Sequence, residues 1–173
     1  MFAMMLAPTP YLSGFVVPLA DGKIGVYQTL ATMRQLVKKY RVDPQIRQAA
    51  TSIIFLTPEK DEYSEAEAIF CMVRDSIRYV RDICDVETLS TPLITLAGRL
   101  GDCDDQTVLL ASLLESVGYP TRFVIAGYVT GNDYEHVYLQ ALVCGEWVAM
   151  DATEQNAMGW EPPYPTVYAV ETV

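Results

Sequence analysis

The sequence predicts an α+β fold, with one apolar helix packed on an antiparallel sheet of about three or more strands. Three observations predict it. Apolar residues recur at helical spacing from Leu30 to Val80. The run VLLASLLESV, residues 108–117, is apolar on nearly every side and so belongs at the centre. After Pro120 the chain breaks into short β-branched and aromatic runs separated by turn residues. Helices first and strands afterwards make an α+β domain. With 173 residues, 51% of them hydrophobic, the chain suits one domain with a core of its own.

Each element has a local cause. Thr29 to Tyr40 carries Leu30, Met33, Leu36 and Val37 on one face. Asp43 before Pro44 is a cap and first-turn pair that opens a second helix through about Phe55. After TPEKDEY, Ser64 and Glu67 form a capping box. Ile69, Phe70, Val73, Ile77 and Val80 then extend one apolar face, predicting a helix that ends near Arg81 to Ile83. Thr91-Pro92 opens a short helix that Gly98 stops. The central helix starts around Asp102 to Cys103 and runs to Gly118, before Pro120. TRFVIAGYV, HVYLQALV and EWVAMD read as strands of a meander, with turns at TGND, residues 130–133, and at Cys144-Gly145. The organisation expected is an N-terminal arm over 1–27, one domain over 28–160, and a Pro-rich C-terminal arm over 161–173.

Composition excludes some partners. The net charge of −10 and the isoelectric point near 4.4 repel phosphate backbones and anionic lipid, so neither nucleic acid nor membrane is an expected partner. A spanning helix needs roughly 18 apolar residues in a row, and the Val108 to Leu114 run is far shorter. The opening MFAMMLAPTPYLSGF has no basic residue before Lys23 and is broken by Pro8 and Pro10, so it reads as an arm rather than a secretory signal. Cys71, Cys84, Cys103 and Cys144 are scattered without CxxC spacing, which predicts free thiols in a reducing, cytoplasmic setting.

Three residues could do chemistry together. Cys103 begins the central helix, His136 begins a strand, and Asp151 ends the next one; His136 is the only histidine. A helix N-terminus favours a thiolate, a thiol nucleophile needs a base, and the base needs a group to orient it. If Cys144-Gly145 is a two-residue turn, Val143 faces Glu146 and paired positions sum to 289. His136 then faces Thr153, which puts it on the same sheet face as Asp151, one diagonal step away. Such neighbours lie about 7–8 Å apart at the backbone, close enough for their side chains to bond. A register shifted by one would put them on opposite faces. Singly, each residue has an ordinary structural use: a buried cysteine as a small hydrophobe, a strand-end aspartate as a turn former.

Gly101-Asp102-Cys103-Asp104-Asp105 at a helix start, GYPTRFVIAGY at 118–128, Glu135-His136-Val137, and the run Trp147 to Thr153 together resemble the transglutaminase-like superfamily. The resemblance spans roughly residues 65–155. It implies a papain-like fold and a range of thiol proteases, amidases, transglutaminases and members without catalysis. Carried over by position, Cys103 would be the nucleophile, His136 the general base and Asp151 the orienting acid. In relatives an aromatic side chain upstream of the cysteine often joins its backbone N–H in the oxyanion hole. Tyr79, expected on the preceding helix, is the candidate, with a core tyrosine as its alternative use.

The expected activity is hydrolysis of an amide or isopeptide bond in a peptide or protein, with transfer to an amine less favoured and no cofactor. The alternative is a structural protein of a phage particle or other assembly, docking through its terminal arms; compact relatives with a GDCDD-type motif are similar to phage and prophage proteins.

Other clusters read as structural. Asp102 would cap the helix, with Asp104 and Asp105 complementing its dipole, although three carboxylates around Cys103 disfavour a thiolate. As a calcium loop the segment fails, because positions six and twelve from Asp102 are Thr107 and Leu113. No zinc-ligand spacing is present. Arg74, Arg78 and Arg81 would line one helical face, paired with Asp75 and Asp82.

Overall fold

The computed structural model describes residues 20, 22–82, 88–128 and 134–173. Most of the expected N-terminal arm, Cys84 and the TGND turn lie outside the described residues. Four helices precede the central one: α1 (Lys23–Tyr40), α2 (Pro44–Ile54), α3 (Glu62–Ser76) and α4 (Pro92–Gly98). Two short strands, β1 (Arg78–Tyr79) and β2 (Leu100–Gly101), flank α4 and pair in parallel. The central helix α5 (Cys103–Ser116) leads into β3 (Thr121–Gly127), β4 (His136–Val143), β5 (Glu146–Met150) and β6 (Val167–Thr172). The last four form one antiparallel sheet in the order β5-β4-β3-β6.

Helix α5 is the hub. Val108, Leu109, Leu110, Ala111, Leu113 and Leu114 are all fully buried, as its apolar circumference requires. Helices α1 to α4 and strands β3 and β4 all pack on it. Phe123, Ile125, Val137, Leu139, Ala141 and Met150 supply the sheet's contribution to this core. Each large side chain withdrawn from water here contributes about 1.5–3 kcal/mol. A smaller cluster of Val124, Ala126, Tyr138 and Ala149 lies on the sheet's outer face.

The hairpin register is the one expected from the two-residue turn, with Val143 opposite Glu146 and Leu139 opposite Met150. Cys144 and Gly145 both have positive φ, at 52° and 84°, the geometry whose twist matches the flanking strands. The Cys144 N–H also donates to a Glu62 carboxylate oxygen at 3.0 Å, tying the turn to α3.

Several boundaries differ from expectation, each for a visible reason. Helix α1 begins at Lys23, inside the stretch read as an arm. Asp61, not Ser64, caps α3, accepting from the Ser64 N–H at 3.1 Å and the Ser64 hydroxyl at 2.6 Å. Helix α3 stops at Ser76 rather than near Arg81. Ile77 is extended, so the N–H groups of Arg78 and Val80 reach the carbonyls of Arg99 and Gly101. Only Arg74 of the three arginines is therefore helical, paired with Asp75 at 2.7 Å. The C-terminal stretch is not only an arm. Residues 167–172 pair along β3, and Arg34 of α1 anchors them through Glu171 at 2.6 Å and the Thr172 carbonyl at 2.7 Å. Among the described residues, no helix is long and apolar enough to cross a membrane.

Gly101 is glycine because of space. A Cβ at this position would sit 2.7 Å from the Asp105 Cβ and 3.2 Å from the Thr95 methyl. Replacing Gly101 with Ala is expected to destabilise the protein by about 1–3 kcal/mol, as overpacking does, measured by the urea midpoint.

Candidate active site

The motif Gly101 to Asp105 is a helix start built from separate parts. Gly101 permits the close approach just described. Asp102 caps α5, its Oδ1 accepting from the N–H groups of Asp104 and Asp105 at 3.1 Å each. Cys103 is the first helical residue. Asp105, 6% exposed, turns inward, and its Oδ1 accepts from the Ser90 N–H at 2.7 Å. Burial raises its pKa, and the Ser90 hydrogen bonds oppose that rise. It holds the segment before α4 against α5, a larger role than the dipole complement expected from sequence.

His136 and Asp151 meet as the register required. The imidazole Nε2 and Asp151 Oδ2 are 2.7 Å apart, with Asp151 almost fully buried and His136 about one-fifth exposed. Asp151 Oδ1 is taken by the Thr153 N–H at 3.1 Å and its hydroxyl at 2.7 Å. A carboxylate on Nε2 selects the tautomer with its proton there, which leaves the Nδ1 lone pair available. The ring is also stacked on Tyr138, with centroids 5.9 Å apart.

Cys103, His136 and Tyr79 line one cavity of about 370 Å³, with Val26, Leu30 and Met33 of α1 on its apolar wall. Cys103 is not hydrogen-bonded to His136 in this arrangement; its Sγ lies 3.5 Å from Asp104 Oδ1. Burial pushes the Cys103 thiol well above its ordinary pKa, reinforced by the carboxylates of Asp104 and Asp102 and opposed by the Val137 backbone N–H. These surroundings favour the protonated thiol over the thiolate. Tyr79 stands on β1, not on a helix, and is 47% exposed, so it is no core tyrosine. Partial burial and the neighbouring Cys103 and Asp102 raise its phenol pKa, which keeps it a hydrogen-bond donor.

A second cavity of about 540 Å³ lies against His136 and Asp151, with Tyr128, Thr153, Pro162 and Pro163 on its walls. Among the described residues, the buried Tyr128 hydroxyl has no hydrogen-bond partner. Burial, with Asp151 and Glu161 nearby, pushes its pKa up to about 12. Sequence reasoning missed Thr153 and Tyr138. The Asp-x-Thr spacing at 151–153 was a usable signal for the first, and the i, i+2 strand spacing from His136 for the second. Among the described residues, no group of three or more His, Cys, Asp or Glu side chains is placed to hold a metal ion.

A comparison with protein families matches the transglutaminase-like superfamily over residues 48–152, more than half of the chain. The chain belongs to the transglutaminase-like superfamily.

Solved structures of similar fold agree with that membership. A candidate cysteine protease from Cytophaga hutchinsonii superposes with a TM-score of 0.53 at 19% identity, over 75% of this chain and 50% of that one. A candidate protease from Parabacteroides distasonis gives a TM-score of 0.57 at 13% identity, over 75% and 26%. Calcium-bound LapG of Legionella pneumophila gives 0.54 at 19% identity, over 83% and 87%. This transglutaminase-like chain thus spans half the length of the first and about a quarter of the second. No curated protein matches it.

The electrostatics of the thiol give a signed expectation. Asp104→Asn removes a negative charge beside Cys103, which favours the thiolate and lowers the thiol pKa. Iodoacetamide labelling of Cys103 at pH 8 should rise about fivefold, and the labelling profile should move to lower pH. Peptide mapping across a pH series checks both.

Proposed function

We propose that this protein is a thiol hydrolase that cleaves an amide or isopeptide bond of a peptide or protein through an acyl-enzyme on Cys103. The observation that carries the reading is the His136 Nε2 to Asp151 Oδ2 bond of 2.7 Å, made by a nearly buried carboxylate beside the cavity that Cys103 lines. Thr153 holds the second oxygen of Asp151 through its N–H and its hydroxyl, which fixes the carboxylate that faces the ring.

The steps follow from the protonation states. Since the surroundings of Cys103 favour its protonated form, His136 acts as general base: Nδ1 takes the thiol proton as Sγ attacks the substrate carbonyl carbon. Asp151 fixes the tautomer and stabilises the imidazolium that forms. The tetrahedral oxyanion accepts from the Cys103 backbone N–H at the α5 start and from the Tyr79 hydroxyl. Imidazolium Nδ1–H then protonates the leaving amine, and the carbon–nitrogen bond breaks to leave a thioester. Water enters, His136 takes its proton, and the acid is released with Cys103 restored. Transfer to a second amine would use the same thioester; water is the preferred acceptor in this reading.

Acylation by 4-nitrophenyl acetate, followed by intact mass, tests this reading. Wild type should give a burst and a mass increase on Cys103 that decays with time. Cys103→Ala should abolish both, and His136→Ala or Asp151→Asn should slow acylation by about 10³- to 10⁴-fold. Labelling that ignores His136 would instead favour the assembly-protein alternative, in which the fold serves as a scaffold. Adding monodansylcadaverine during decay separates transfer from hydrolysis, with hydrolysis expected to dominate.

A further inference from the structure

The family match ends at residue 152, and the segment after it makes contacts behind the imidazole that the family resemblance does not account for. Glu161 Oε1 accepts from the Tyr138 hydroxyl at 3.3 Å and from Gln140 Nε2 at 2.5 Å. The Gln140 oxygen is held by Arg122 Nε at 2.8 Å, and the Arg122 guanidinium lies over the Trp147 ring at 4.2 Å. The next two residues, Pro162 and Pro163, wall the cavity that His136 and Asp151 line.

Geometry explains why such a support is needed. One hydrogen bond at Nε2 fixes the distance from His136 to Asp151 but leaves the ring free to turn about that contact. Nδ1 can be aimed only if the ring plane is also set. The Tyr138 ring sets it, lying nearly parallel to the imidazole at 25°. Tyr138 is 2% exposed, and its hydroxyl is anchored by Glu161. Burial and the Glu161 carboxylate raise its phenol pKa, so the hydroxyl remains a donor.

We propose that Glu161 is a positioning residue for His136, acting through Tyr138, and that the Glu161 to Pro163 segment is the outer wall of the imidazole–carboxylate pair. The inference rests on His136 serving as the base. It assigns to the C-terminal segment a part in aiming Nδ1 at the thiol, beyond its part in completing the sheet.

Because His136 is the only histidine, its Nε2 proton gives one resonance in the spectrum of the full chain. The test is the exchange rate of that proton with water, measured by proton NMR. Glu161→Ala should speed exchange about tenfold, as expected from losing one anchoring hydrogen bond. Glu161→Gln keeps an acceptor oxygen and should restore the wild-type rate. Tyr138→Phe keeps the ring but removes its anchor, so it should behave like Glu161→Ala and provides a second route if that variant folds poorly. An unchanged rate in Glu161→Ala or Tyr138→Phe, or a Gln variant as fast as the Ala variant, would overturn the proposal. The measurement can be repeated in Cys103→Ala, where no turnover occurs. Failure of the hydrolase reading would therefore show as absent His136-dependent acylation with exchange still sensitive to Glu161, a different result from failure of this proposal.

Discussion

Burial of α5 on almost every side is the constraint on which the site depends. A helix with Val108, Leu109, Leu110, Leu113 and Leu114 all withdrawn from water cannot rotate or slide without exposing one of them. Its first turn is therefore held in one place against β4, whose own first residue is His136. The nucleophile candidate and the base candidate belong to two elements that pack directly on each other. The rigidity of the core is in this way passed directly to the candidate site.

The acidic surroundings of Cys103 are a consequence of how that helix begins. Asp102 must cap, because the first N–H groups of a helix have no partner inside it. Asp105 must face inward, because the segment before α4 has a backbone donor, the Ser90 N–H, to satisfy. Asp104 completes the triplet next to the thiol. Burial is the larger cause of the raised thiol pKa, and the carboxylates of Asp104 and Asp102 add to it. A chemistry built here must remove the proton during attack, which places the burden on the base and on whatever orients it.

The outer face of the sheet has a second layer of organisation. Asp151 and Tyr138 contact the imidazole, Thr153 holds Asp151, and Glu161 joins Tyr138 to Gln140, on the same face as the small cluster of Val124, Ala126 and Ala149. Strand β6 and the loop before it bring the C-terminal residues to this face and fasten them to α1 through Arg34. The chain end thus reaches both layers of the domain.

Sequence by itself determined what is local or periodic. The α5 burial follows from its composition, the Asp43 and Asp102 caps from their side chains, and the β4–β5 register from a turn of two residues that admits one pairing. That register alone puts His136 and Asp151 on one face of the sheet. Only the tertiary structure decided where α3 ends, because Ile77 fits the apolar face of a longer helix and is equally buried in an extended chain; the partner that pulls β1 out of the helix, β2, lies more than twenty residues away. The same holds for Tyr79, moved from a helix to a cavity edge, and for β6, whose alternating pattern was masked by prolines just before it. Short-range hydrogen bonds and periodic burial are written in adjacent residues, whereas pairings between distant segments depend on which competing partner the finished core brings within reach.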